Sequence, residues 1–194
     1  MHALFAALWL LAAPFWETRP PSEWTQEQLE QMMRDSPWAR TALAPSILRA
    51  GAVQTFLATA RPIQLAEEEL ARRSKRPPRE DPDPDDFREF LRQKGAEVIV
   101  LSIAYANPGA LSDAAESRRM QEDCVMRVDR KTYRITGHFP PTPGDPYLRL
   151  VFPRAVKQTD KRIIFQLYLP GVTNPFRDTE YDVKELVYRG KLEM

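Results

Sequence analysis

The side chains that most often carry chemistry are scarce in this sequence. Histidine occurs twice, at His2 and His138, and cysteine once, at Cys124. A Ser-His-Asp or Cys-His system needs a base within hydrogen-bond reach of its nucleophile. Beyond the first residues, only His138 could be that base. It lies between Gly137 and Phe139 near the end of a strand-like run, which predicts a histidine on the rim of a sheet. Cys124 sits in Asp-Cys-Val-Met with no base beside it, and reads as a buried, inert thiol. One cysteine excludes an internal disulfide. One histidine and one cysteine are too few for a zinc or transition-metal site.

Acidic residues offer more material. The run Asp81-Pro82-Asp83-Pro84-Asp85-Asp86 alternates carboxylates as calcium loops do, but Asp86 stands where such a loop needs glycine and Arg92 where it needs glutamate. Capping of the next helix explains the run better. Glu122-Asp123 and Asp178 with Glu180 are carboxylate pairs that a glycosidase or peptidase could recruit from distant positions. No glycine-rich loop follows a strand, so no nucleotide cofactor is expected. The net charge of +1 provides no global field for a polyanion, which argues against nucleic acid as a partner.

Tryptophan is the unusual feature. Trp16, Trp24 and Trp38 lie close together beside Phe15, Met32 and Met33. Such residues anchor protein interfaces, and they equally anchor a segment on its own core. Both roles stay open, with Trp16, Trp24 and Trp38 the candidate partner-binding residues.

The elements that must position these residues follow from pattern. Thr25 and Gln28 have capping-box spacing, and Trp24 and Leu29 have that of a hydrophobic staple, so a helix is predicted over 25–34. Ser36-Pro37 ends it. A strand is predicted over 52–60 and a charged helix over 62–74, with Glu68-Arg72 and Glu69-Arg73 as supporting pairs. A proline-rich connection leads to a helix over 84–94, capped by Asp83 and closed by Gly95. The run 98–105 is apolar on both faces, as a central strand should be. A short helix is expected over 112–122. Strands follow over 124–128, 132–139, 147–152, 162–169 and 181–189, with a loop at 140–146. The segment 61–94 carries nine basic and nine acidic residues, a solvated face. The expected fold class is α+β: an antiparallel, sandwich-like sheet of about six strands, with short helices mainly in the N-terminal half.

Ala3 to Ala13 form an apolar stretch of signal-peptide length, too short to span a bilayer. No Lys or Arg precedes it, and no cysteine follows it to take a lipid. The expected organisation is a signal peptide over 1–14, a helical clasp over 15–40 and an α+β domain over 41–194. The expected location is periplasmic or extracellular.

Two stretches carry a resemblance. Phe15-Trp16, then Trp24-Thr25, Leu29 and Asp35-Ser36-Pro37-Trp38-Ala39 open the chain. Phe152-Pro153-Arg154, Asp160-Lys161 and Leu186-Val187-Tyr188-Arg189-Gly190-Lys191-Leu192-Glu193 close it. Together they resemble an uncharacterised group of exported bacterial proteins. The resemblance implies export and a β-rich fold, and brings no activity with it. The reading is an exported, non-catalytic domain, a binding module or an envelope structural protein, without cofactor or metal and monomeric. The alternatives are a hydrolase using distant carboxylates, and a periplasmic assembly factor or chaperone that holds clients through its tryptophan segment.

Overall fold

The computed structural model describes residues 13–44, 51–74 and 85–194, without the side chains of 85 and 86. The apolar stretch up to Ala12, the Arg76–Pro84 connection with its Asp83 cap, and the ligand set of the calcium-like run lie outside the described residues.

Helices α1 (Phe15–Thr18) and α2 (Gln26–Arg34) come first, then strands β1 (Ala39–Ala42) and β2 (Val53–Leu57). Helices α3 (Arg61–Arg73) and α4 (Asp85–Lys94) lead to β3 (Val98–Ala104) and α5 (Ala114–Asp123). The rest is mostly strand: β4 (Val125–Val128), β5 (Lys131–Arg134), β6 (Gly137–Phe139), β7 (Tyr147–Pro153), β8 (Arg162–Tyr168) and β9 (Phe176–Asp182). A small hairpin, β10 (Val187–Tyr188) with β11 (Lys191–Leu192), completes it. The fold class is α+β.

Two antiparallel sheets organise the molecule, ordered β1-β2-β3-β7-β6 and β5-β4-β8-β9. They face each other across one core, where Phe152 meets Phe165 at 5.1 Å and Phe165 meets Tyr181 at 5.8 Å. Both margins are joined. Leu43 and Asp178 exchange backbone hydrogen bonds of 3.0 and 2.9 Å between the β1 and β9 sides. At the other margin β5 runs almost directly into β6, and Thr136 N–H donates to the Val151 carbonyl. Strand β3 shows why its sequence is apolar throughout. Ile99, Leu101 and Ile103 share a face with Phe152, Leu150 and Leu148, toward the second sheet. Val100 and Ser102 point the other way, under the helices, and are also buried.

The capping box of α2 is present: Gln28 N–H donates to Thr25 Oγ1 (3.2 Å) and Thr25 N–H to Gln28 Oε1 (2.9 Å). Asp113 caps α5 through the N–H groups of Ala115 and Glu116. Helix α3 has no such local cap; Glu193, from the far end of the chain, accepts the Arg61 N–H at 3.2 Å. In α3 both Arg72 and Arg73 converge on Glu69, while Glu68 turns to Arg61.

Three expectations need correction. The described strands number eleven, against about six. The expected strand over 132–139 is two strands, β5 and β6, which belong to different sheets. The expected strand over 181–189 is instead the end of β9, a 3-10 turn at Val183–Glu185 and the start of the β10–β11 hairpin. Arg189 and Gly190, with φ of 49° and 78°, reverse the chain there, as two-residue hairpin turns require.

Candidate functional site

The three candidate tryptophans are brought together, facing inward. Phe15 contacts Trp16 (4.9 Å) and Trp24 (5.3 Å) edge-on, Trp16 contacts Trp38 (6.0 Å), and Trp38 contacts Tyr188 (6.3 Å). Trp24 and Trp38 are buried and Trp16 is half-buried. Each buried indole has its acceptor: Trp24 Nε1 donates to the Arg19 carbonyl (3.1 Å) and Trp38 Nε1 to the Glu193 carbonyl (2.9 Å). In this arrangement Trp24 and Trp38 offer no surface to a second molecule.

The sequence stretches at the two ends of the chain therefore meet. Glu17 accepts the Arg189 N–H, and Arg154 Nη2 donates to the Met194 oxygen at 2.7 Å. The residues of the N-terminal Trp-Thr and Ser-Pro-Trp-Ala patterns, and of the C-terminal Tyr-Arg-Gly-Lys-Leu-Glu pattern, lock one another in place.

His138 is half-buried on β6, and no hydrogen bond of its ring is found among the described residues. Burial lowers its pKa, favouring the neutral ring. Cys124 joins α5 to β4. It is fully buried, burial pushes its thiol up to about 12, and its sulfur accepts the Tyr168 N–H at 3.2 Å. Neither residue is brought to the other's nucleophile or base. Of the carboxylate pairs, Asp123 is tied to Arg119 (3.4 Å) and Glu180 to Arg162 (2.9 Å). Asp178 is raised by burial, which Arg127 opposes. Among the described residues no group of three His, Cys, Asp or Glu could hold a metal ion, and no described helix is long and apolar enough to cross a membrane.

Two charged clusters emerge that sequence spacing did not single out. The first surrounds Arg149 on β7, on the helix-covered face of the first sheet. Its side chain is only 6% exposed. Nε and Nη2 both donate to Asp145 Oδ2 (3.2 and 2.7 Å), and Nη1 donates to Ser102 Oγ (2.8 Å). The guanidinium lies 3.9 Å from the Phe87 ring centre and 3.8 Å from Glu67 of α3. Burial raises the Glu67 carboxyl, which the Arg149 charge counters. This cluster rivets α3 and α4 to the sheet, and its polar groups face one another.

The second cluster is open. A cleft of about 590 Å³ lies between the two-residue β4–β5 turn and the β7–β8 connection. Arg130 and Lys131 line it from the turn, and Lys157 and Lys161 from the connection. All four are exposed, and among the described residues none has a carboxylate within ion-pairing distance. Val128, Ala155 and the half-buried Tyr133 contribute less polar wall. Of its two acids, Asp160 is engaged by the backbone: it accepts the Lys157 N–H at 2.6 Å. Asp129, at the turn, holds a left-handed φ of 52°, which aspartate tolerates better than most residues.

The second cluster had only a faint sequence signal, an Arg-Lys turn and a Lys-rich loop some 25 residues later. Antiparallel pairing of β4 with both β5 and β8 makes them neighbours. No family model, curated protein or solved structure matches this chain.

Proposed function

We propose that this chain is an exported, non-catalytic domain that binds a negatively charged ligand in the cleft between the β4–β5 turn and the β7–β8 connection. One observation carries the reading: four cations without carboxylate partners among the described residues converge around one concavity, whereas Arg40, Arg61, Arg72, Arg73, Arg149 and Arg162 are paired and the exposed, unpaired Arg118, Arg127 and Arg134 do not line it. Paired charge serves structure, and unpaired charge around a concavity is available to a ligand. The aromatic segment is then a clasp that closes the fold, not a client-holding arm. The apolar stretch from Ala3 and the resemblance at both ends support export.

The binding reading is tested by titrating isotope-labelled protein with sulfate, phosphate and citrate while following backbone amides. Shifts confined to 128–133 and 155–161 are expected. Changes scattered over the surface, or none, would refute it. Export is tested separately by mass spectrometry of natively expressed protein, with a mature N-terminus expected between about Ala13 and Trp16. An intact Met1 in the cytosolic fraction would end that part.

A further inference from the structure

We infer that the cleft takes a compact ligand with at least two acidic groups, phosphate or carboxylate, clasped between its two loops; this rests on the reading of the cleft as the binding surface. The cations are divided, two on each side: Arg130 in the β4–β5 turn with Lys131 at the start of β5, and Lys157 and Lys161 on the β7–β8 connection. A ligand with one charge satisfies one loop and leaves the other unanswered. A ligand with two engages both, and the second contact forms at high effective concentration.

Both loops are set before any ligand arrives. Val128 and Lys131 close the hairpin register around a two-residue turn. In the opposite loop Asp160 Oδ2 accepts the Lys157 N–H (2.6 Å), while Asp160 N–H donates to the Lys157 carbonyl (3.0 Å). The Lys161 carbonyl is held in turn by the Val183 N–H at 3.0 Å. Asp160 is therefore a positioning residue, which shapes the loop that carries two of the cations. Little conformational freedom of the backbone remains to be lost on binding.

Size and charge point to a small ligand over a long acidic chain. The cleft volume lies within the usual range for small-molecule sites. Tyr133, Val128 and Ala155 provide wall for a non-ionic ligand body. Asp129 also lines the cleft, so a ligand must place its acidic groups on the cations and away from that carboxylate. With a net charge of +1 there is no long-range attraction to gather a polyanion, so affinity must come from contacts inside the cleft.

Calorimetry on the full folded chain provides the test, with pyrophosphate, citrate, phosphate, acetate and poly-glutamate as probes at about 20 and about 150 mM salt. Pyrophosphate and citrate are expected to bind roughly tenfold or more tightly than phosphate and acetate respectively, through the two-point attachment. Comparing pyrophosphate with citrate then sorts phosphate from carboxylate chemistry. Arg130→Ala and Lys157→Ala, one from each loop, should each bring the tighter of those two ligands down to the level of its single-group counterpart. Lys184→Ala, an exposed lysine already paired with Asp182 at 3.1 Å, should change nothing. Pyrophosphate and citrate binding no tighter than phosphate and acetate would overturn the two-loop clasp, even with shifts confined to the cleft, and would leave the binding-surface reading standing. Poly-glutamate binding where the compact anions fail would overturn it in favour of an acidic polypeptide. No probe perturbing the cleft would refute both readings.

Discussion

Arg149 and Arg130 carry the same guanidinium in opposite settings. Arg149 is buried between sheet and helices, with a carboxylate, a serine hydroxyl and an aromatic ring around it. Arg130 stands at the rim of an open cleft beside three other cations, with no ion-pair partner among the described residues. The first arrangement holds elements together, because taking a charge out of water is tolerated only when its hydrogen bonds are met inside. The second crowds like charges around a concavity without paired carboxylates among the described residues, the setting on which the proposed ligand site rests. The buried Trp24 and Trp38 belong with Arg149. The contrast separates residues the fold needs from residues it can do without.

Truncating a residue turned inward should have the largest effect. Trp38 contacts Trp16 and Tyr188 and hydrogen-bonds the Glu193 carbonyl. Trp38→Ala should lower stability by about 3–5 kcal/mol in urea unfolding monitored by circular dichroism. A midpoint equal to wild type would break the comparison at its strongest point. Tryptophan fluorescence of the native protein should be blue-shifted and poorly quenched by acrylamide.

Next comes Arg149→Met, which leaves Asp145 and Glu67 without their cation. A buried pair broken on one side costs about 3–5 kcal/mol. Asp145 is still 38% exposed, so solvent screening reduces this to about 2–3 kcal/mol. Denaturant melts of the variant measure it. A loss below about 0.5 kcal/mol would place Arg149 among ordinary surface residues.

The third is a pH effect. Hydrogen bonds from Arg72 and Arg73 lower the Glu69 carboxyl from 4.5 to about 2. A depressed folded-state pKa means stability that is present above the unfolded value of 4.5 and lost as pH falls through about 2. Carbon-detected titration of the Glu69 carboxyl should show its midpoint near the lower figure. Glu69→Gln should flatten the acid limb of the stability curve between these two pH values. An ordinary midpoint would show the two arginines to be solvent-bound.

The smallest effect is the sharpest test of the contrast. Lys157→Ala and Arg130→Ala should each change stability by no more than about 0.5 kcal/mol, with any shift toward greater stability as like-charge crowding is relieved. A loss above about 1 kcal/mol in thermal melts would mean that the cleft cations hold the fold as Arg149 does.

Local signals in the sequence specified local structure. Thr25 with Gln28, the apolar run of β3 and the alternation in β8 act through neighbours three or two residues away, so α2, β3 and β8 were legible. The α+β class followed in the same way. Strand β1, the second strand pair around Arg189-Gly190, and the cap that Glu193 places on α3 have no local signature. They depend on partners far along the chain. The tertiary structure also turns Trp24 and Trp38 inward, where burial removes apolar area from water without the entropy cost of recruiting a second molecule. It alone brought Arg130 and Lys131 to Lys157 and Lys161. Charges that cancel in a composition can still gather in space, since strand pairing decides which loops become neighbours regardless of what those loops carry.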